Sequence, residues 1–533
     1  MTNQSVAVTP ASQFDLVGGG IASLAAAALL IREGGISGSR IQIFEQLDRV
    51  GGSLDGQGSP VSGYLIRGGR MFEPHFACTF DLFRTIPNLQ DPRQSVTEQI
   101  HRFNQQVETS SRCRLVRAGS RREAPAFGLS LRDRWDLIAL SSRGESSLSG
   151  MRIDDYFSAE FFRSNFWCLW STMFAFQTWH SLAEFRRYMR RFVQLLPGLN
   201  RLEGILRTQW NQYDSLILPL IDWLTDRGVQ FRTGTRIERV DFHHQSNTST
   251  VTGLHLSDGQ STSCLDIQPH DRVFITLGSM TEDSSVGGHH TPPPARHSTH
   301  SAWTLWRQIA SESPEFGRPE RFCSQTQQTN WVSFTVTLRN PGFLQFMENF
   351  TGNTAGTGGL VTFQDSGWCL SVVLAHQPHF LNQPADVQVF WGYGLFSDRP
   401  GDRVLKPMAE CTGAEILAEL AYQLRIEDQA ARFFEDAICL PCLMPYITSQ
   451  FQPRQPGDRP EVVPQRANNF AFLGQFCEVP EDTVFTVEYS VRTAYRAVAR
   501  LLNLDLTEPE MYHGTASPGV MCRAVWTLLK NGR

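Results

Sequence analysis

Short apolar runs that stop at a glycine or an acidic residue recur along the chain. They are "FDLV" at 14–17, "IQIFE" at 41–45, "RVFITLGSM" at 272–280 and "FAFLGQF" at 470–476. Each has the length and character of a strand buried on both faces. Between the first two lies "IASLAAAALLIRE" at 21–33, an Ala/Leu helix that "GGISGS" stops. The chain therefore opens with a strand, tight turn, helix, turn and strand, a βαβ unit. A helical region is predicted from about 79 to 205. Within it "SLAEFRRYMRRF" sets Phe185, Tyr188, Met189 and Phe192 at i, i+3, i+4 and i+7, with Arg186, Arg187, Arg190 and Arg191 on the other faces.

The stretch "LILPLIDWLTDRGVQFRTGTRIERVDF" reads as a helix, a glycine turn and alternating strands, and "WVSFTVTL", "WCLSVVLA" and "VQVFWGYGLF" read as further strands before a helix near 413–425. The Gly, Pro, His and Ser stretch "SSVGGHHTPPPARHSTHS" is a loop-like insertion. Its His289, His290, His297 and His300 have a proline run between them and no Cys or carboxylate ligand close by, so a solvated loop is expected and no metal. The closing "PGVMCRAVWTLLKNGR" sets Val520, Met521, Val525, Trp526, Leu528 and Leu529 beside Arg523, Lys530 and Arg533. Such a helix either docks on the body or lies on a membrane surface as a peripheral contact.

Composition narrows the class. A chain of 533 residues, 41% hydrophobic and 19% charged, builds large shared cores. The net charge of −5, with basic residues spread along the chain, gives no nucleic-acid footprint. The 36 Phe and 12 Trp suit a large apolar cavity, or simply a Phe-rich core. Eleven irregularly spaced cysteines are not a disulfide framework, and Cys439-Leu-Pro-Cys442 lacks both a second pair for zinc and a thioredoxin-like strand. The N-terminal stretch has no basic region followed by a long apolar one, and no apolar run reaches the roughly 18 residues of a membrane span. A cytoplasmic protein, with at most peripheral membrane contact, is expected.

The chemistry begins in the first βαβ unit. Gly18-Gly19-Gly20-Ile21-Ala22-Ser23 matches a dinucleotide fingerprint between strand and helix: Gly18 for the turn, Gly20 for close approach of a pyrophosphate, and small Ser23 for helix–strand packing. Glu45 ends the second strand, where an acidic side chain accepts from ribose hydroxyls. Gly51-Gly52-Ser53 follows shortly after, resembling the continuation in flavoproteins of the glutathione-reductase type, which also close the flavin site with a late glycine strand such as the one carrying Gly474. FAD is the expected cofactor. In "YLIRGGRMFEPHF", Tyr64 to Phe76, the bare backbone of Gly68 and Gly69 can pass a flat ring, Arg67 and Arg70 can meet phosphates or anchor the loop, and Glu73 sits between Phe72 and Phe76. A carboxylate in such a place takes a proton or orients a water.

"RGGRMFEPHFACTFDLFRTIPNL", "FWCLWSTMFAFQTWHSLAEFRRYMRRF", "NQYDSLILPL", "TLGSMTEDSSVG", "MPYITSQF" and "FLGQFCEVPEDTVFTVEYSVRTAY" occur in this order over nearly the whole chain and resemble the oleate hydratase family, also called myosin-cross-reactive antigens. The resemblance implies FAD-dependent addition of water to the cis double bond of a free long-chain unsaturated fatty acid, typically oleate to 10-hydroxystearate, without net redox change, in a monomer or homodimer. By resemblance Glu73 matches the water-activating glutamate and Tyr188 the proton donor, with Tyr213 as rival. Thr448 and Gln450, and after them His180, are candidates for the substrate carboxylate, and Met71, Gly278, Ser279 and Phe485 join the cofactor set. Many members read RGGRE where this chain has Met71, which bears on flavin affinity, redox dependence and oligomeric state. A lipid-directed flavin oxidoreductase or isomerase, and a non-catalytic flavin- and lipid-binding protein, remain alternatives.

The expected fold is α/β: a Rossmann-type FAD-binding domain of glutathione-reductase-like kind, a mixed α+β substrate domain and a helical C-terminal region. Its FAD-binding segments are 1–78, 206–283 and 436–503. The remaining segments are a mainly helical substrate or lid region at 79–205, a substrate domain at 284–435 and the C-terminal region at 504–533.

Overall fold

The computed structural model describes residues 7–123, 125–357 and 359–530. Residues 1–6 of the N-terminal stretch, and Arg533 of the terminal helix, lie outside the described residues. The four predicted buried strands, joined by the largely exposed edge strand Gln230–Arg232, assemble into one five-stranded parallel sheet in the order Phe470–Leu473, Arg272–Thr276, Phe14–Val17, Ile41–Phe44, Gln230–Arg232. Their continuous apolar character follows from burial on both faces: Leu16, Ile43, Phe274 and Phe472 are fully buried. The Ala-rich helix Ile21–Arg32 packs against the late helix Val487–Leu501, where alanines permit close approach. A domain made from distant segments results, because the strand that completes its sheet comes some 450 residues after the first, on the order of the chain's own length.

The second body is an eight-stranded mixed sheet centred on Trp331–Leu338, which pairs antiparallel with both Gln388–Gly394 and Ile438–Met444. Segment 79–205 carries the helices Val96–Gln106, Leu131–Ser142, Asn165–Phe174 and Leu182–Arg191, together with a hairpin, Cys113–Arg117 and Ser120–Glu123. That hairpin extends the large sheet by pairing parallel with Leu360–Phe363. Its short strands alternate with arginines, which hid it within a helical region. The four arginines of Leu182–Arg191, expected on polar faces, also differ: Arg186, Arg187 and Arg191 are buried, because each finds acidic partners in the fold.

Cys439 and Cys442 lie buried on the strand Ile438–Met444. Burial pushes both thiols up, Cys442 to about 11, so neither offers a thiolate at neutral pH. The histidine-rich insertion is irregular beyond its short strand Ser285–Val286, and Arg296, Ser298 and His300 border the groove described next. The terminal helix Pro518–Lys530 docks on the turn Val193–Arg201, with Val520, Ala524, Thr527 and Leu528 buried. Among the described residues no helix is long and apolar enough to cross a membrane.

Candidate functional site

A groove of about 450 Å³ opens at the carboxyl ends of the parallel strands, where α/β sheets bind ligands. Val17 to Ala22, Glu45, Gly52, Ser53, Arg67, Gly278, Ser279 and Gly474 lie on its wall. Gly18 has φ +92°, a conformation that L side chains rarely adopt. A Cβ on Gly19 would lie 2.7 Å from Val50 and 3.0 Å from Glu45, whereas one on Gly20 would meet nothing within 4 Å, so the backbone is bare towards the groove.

Helix Ile21–Arg32 begins there with no side-chain cap and no acidic residue in its first turn, leaving its N–H groups and dipole for an anion. Arg67 pairs with Asp55 at 3.2 Å, and its buried Nε has no acceptor. These residues fit a dinucleotide diphosphate. Glu45 does more than expected: its carboxylate accepts from Gly19 N–H at 2.8 Å and Leu47 N–H at 2.9 Å, so it shapes the glycine turn as well as facing the groove. Burial raises its pKa. Ser23 lies behind the turn, its hydroxyl 3.2 Å from that of Thr276, and Gly51 donates to Gly19 O at 2.9 Å.

From Arg67 in the groove the chain runs to Gly69 and Arg70 in a second, apolar cavity of about 100 Å³. A Cβ on Gly69 would stand 3.7 Å from the Trp391 ring, an ordinary contact, and one on Gly68 would stand 3.3 Å from Arg70 Nη1, the end of a long side chain, and 3.7 Å from the same ring. At Gly69 no protein atom demands glycine, and a planar cofactor laid on that backbone would. With its amide oriented to satisfy both groups, Gln212 donates to Gly68 O at 3.2 Å and accepts from Arg70 N–H at 3.1 Å, fixing the loop. Arg70 stacks on Phe485 at 5.1 Å, and burial lowers its pKa to about 10. Phe485 thus belongs to the cavity rather than the groove, as does Met71.

The cavity wall holds Phe72, Phe76, Phe174, Phe192, Trp331 and Trp391, and among its lining residues a single carboxylate, Glu73. Glu73 and Tyr188 border this common space because helix Leu182–Arg191 turns its Phe185, Tyr188 and Met189 face inward. The Glu73 carboxylate is held by His75 Nδ1, by His75 N–H at 3.0 Å, by Gln194 at 3.1 Å and by Arg191 at 3.3 Å. The His75 ring is part exposed and stacks on Tyr512, 3.6 Å between centroids. The Tyr188 hydroxyl donates to Val484 O. Burial first, then Glu184 and Asp482, raise its pKa well above 10, against a lowering by Arg70. Behind the same helix Glu184 meets Arg459 at 2.9 Å and Arg454 at 3.0 Å. Burial opposes the charge of Glu184, but Arg459, Arg454 and Arg187 outweigh it and pull the carboxyl down to about 2.

A smaller pocket of about 50 Å³ shares Gly69, Arg70, Val373 and Trp391 with the cavity and adds Arg207, Thr208, Gln212, His376 and His379. Arg207 Nε and Nη2 and His376 Nδ1 are buried without partners. Burial lowers the Arg207 pKa to about 10, and burial, with help from His376 and Arg207, lowers that of His379 to about 4. Sequence reasoning missed this pocket because its nitrogen-bearing side chains come from 207 and from 376 and 379, far apart in the chain and outside any motif.

Thr448, Gln450 and His180, named for the carboxylate, are not among the residues that line the groove, the cavity or this pocket. Thr448 donates to Thr329 O at 3.0 Å, and the Gln450 amide donates to Ile447 O at 3.0 Å. Phe451, not its neighbours, reaches Tyr188, at 5.7 Å between ring centroids. His180 is buried and kept neutral by desolvation, its Nδ1 accepting from Gln177 N–H at 2.9 Å. Tyr213 packs on Gly51 and under Arg49 at 5.1 Å, beside the cofactor loop and outside the apolar cavity's lining, so it is not placed as a donor there.

The fold and its two compartments define a dinucleotide-binding α/β protein of flavoprotein type whose cofactor segment also walls an apolar cavity. The profile of the MCRA family matches residues 12–499, and the chain belongs to that family. It is 37% identical to an oleate hydratase of Streptococcus pyogenes serotype M49 (strain NZ131) over 526 residues, covering 96% of this chain and 89% of the relative. It is 31% identical to a linoleate hydratase of Lactiplantibacillus plantarum, covering 90% and 91%. In fold it is similar to cyclohexylamine oxidase of Brevibacterium oxydans IH-35A (TM-score 0.53, 14% identity, 93% of this chain and 99% of that one). A triple mutant of putrescine oxidase is similar in the same way (0.52, 14%, 92% and 99%).

Proposed function

We propose that the protein is a fatty acid hydratase, a carbon–oxygen hydro-lyase that adds water to the cis double bond of a free long-chain unsaturated fatty acid such as oleate, with FAD as cofactor and no net redox change. The observation that carries this reading is the apolar cavity walled by the cofactor segment Gly69–Arg70, with one carboxylate, Glu73, and the buried phenol of Tyr188 on its lining, the lining's other phenol, Tyr393, being tied to Thr172 O. Gly68 and Gly69, with the glycine turn and Glu45, would hold FAD, which when bound would supply electrostatic support to the addition without carrying electrons away.

Hydration breaks the π bond, forms a C–H bond with a donated proton and a C–O bond with water, and removes a proton from that water. Tyr188 is the proposed donor. Its high pKa makes it a weak acid, so transfer requires support for the phenolate, which Arg70 favours, and for the developing cation, which the rings of Phe174 and Phe192 flank. Glu73 is the proposed acceptor of the water's proton. Its oxygens are filled by donors, so it accepts only as one of them withdraws, and part-exposed His75 is the partner free to do so. The pocket around Arg207 is the proposed seat of the substrate carboxylate, since two buried guanidinium N–H groups there lack an acceptor.

The test is oleate with FAD in ¹⁸O-water, comparing wild type with Glu73→Gln and Tyr188→Phe. A hydroxy acid labelled from water, and a loss of at least about 100-fold in either variant with flavin retained, is expected. Product without solvent oxygen, or stoichiometric flavin turnover, would move the chain to the oxidoreductase reading. Binding without product would move it to a lipid carrier.

Peripheral membrane contact is proposed through the terminal helix, where Trp526 and Leu529 are 60% and 49% exposed and Lys530 sits 4.5 Å from the Trp526 ring centre. Co-sedimentation with anionic vesicles should fall in Trp526→Ser/Leu529→Ser. Unchanged sedimentation would remove the contact.

A further inference from the structure

Far along the chain from the cavity residues, the three-stranded antiparallel sheet Arg236–His244, Ser249–Ser257, Thr262–Asp266 has one face packed inward by Val240 and Leu254. Its other face carries a different set. Register pairs His255 with Cys264, Gly253 with Asp266, and Asp241 with Gly253. Partners in an antiparallel pair point to the same side, and residues two apart share a face. Asp241, His255, Cys264 and Asp266 therefore stand together on the outer face, contributed by all three strands.

The ligand atoms of Asp241, His255 and Cys264 lie within 4.8 Å of one another. His255 Nε2 is 2.6 Å from Asp241 Oδ2, and Asp241 Oδ1 is in an ion pair with Arg239 Nε at 2.8 Å, a contact that a bound cation would replace. At the centre of the face stands a glycine. A Cβ on Gly253 would lie 3.3 Å from Asp241 Oδ2 and 3.4 Å from Cys264 Sγ, so its missing side chain leaves the space into which these groups converge.

We propose that this face is a binding site for a divalent transition metal of zinc type, with Asp241, His255 and Cys264 as protein ligands and Asp266 or water completing the coordination. A mixed oxygen, imidazole and thiolate set is that of a borderline-soft cation, and Mg²⁺ or Ca²⁺ would require oxygen ligands alone. Binding breaks the S–H bond, releases one proton to solvent and involves no electron transfer. A metal there ties together all three strands of a sheet whose first residues, Arg236 and Ile237, border the cofactor groove. The site is independent of the hydratase reading.

Co²⁺ serves as the probe because a thiolate ligand gives it a near-ultraviolet charge-transfer band and tetrahedral geometry gives intense visible bands. The full-length protein, reduced and freed of metal, is titrated with Co²⁺ and then Zn²⁺. Saturation near one equivalent, a thiolate band that Zn²⁺ abolishes, and loss of both signals in Cys264→Ser with at least tenfold weaker binding in His255→Gln would support the site. Cys522→Ser, altering another exposed cysteine, should leave the titration unchanged. Absence of the thiolate band, or a titration unaffected by Cys264→Ser, would overturn the proposal. All three substitutions are at the surface, and circular dichroism establishes that each variant is folded.

Discussion

At the scale of single residues, what a position lacks is as informative as what it carries. Gly19 has no room for a methyl group between Val50 and Glu45. Gly19→Ala should therefore displace the turn and lower bound flavin per protein, read as flavin absorbance after desalting, while a flavin content equal to wild type would show that the turn yields. Arg207 has the opposite defect, a buried charge with unfilled donors. Charge-assisted hydrogen bonds contribute about 1.5–3 kcal/mol, so Arg207→Met should raise KM for the free acid roughly ten- to hundredfold. The methyl ester should be nearly unaffected, and equal effects on acid and ester would separate Arg207 from the carboxylate.

At the scale of elements, helix Leu182–Arg191 works on two faces. Its aromatic face delivers Tyr188 to the cavity, and its charged face is pinned by Glu184 to Arg454 and Arg459. Removing one member of a buried ion pair costs about 3–5 kcal/mol because its partners remain buried and charged. Glu184→Gln should lower stability on that order, seen in the urea midpoint, with a displaced Tyr188 as the functional consequence. The carboxyl stands near 2 in the folded chain and about 4.3 when unfolded. The stability it contributes is therefore complete above about 4.3 and lost as pH falls towards 2. The urea midpoint of wild type should drop across that window more steeply than that of the variant, and parallel slopes would refute the linkage.

At the scale of the molecule, the parallel sheet beside the cofactor groove draws its strands from both ends of the chain. Strand Phe470–Leu473 lies beside Arg272–Thr276 in the parallel sheet, and Val487–Leu501 covers helix Ile21–Arg32. A chain truncated after Asp283 should expose that apolar edge, retain no flavin and be protease-sensitive, whereas a soluble flavin-binding fragment would show an independent domain. The C-terminal region is tied in likewise: Tyr512 stacks on His75, which holds Glu73.

By itself the sequence determined the elements whose cause is local. The apolar strands, the glycine turn with its uncapped helix and the inward stripe of Leu182–Arg191 are all legible from spacing, since strand and helix periodicities are properties of a single segment. The order of recurring blocks also determined the family. Tertiary structure alone decided which polar groups meet. Arg191 and Gln194 close on Glu73, Glu184 on Arg454 and Arg459, and Arg207 joins His376 and His379, while Thr448 and Gln450 turn to backbone partners. Such pairings depend on how distant segments pack, and burial gives a charge its weight only once its surroundings have closed around it.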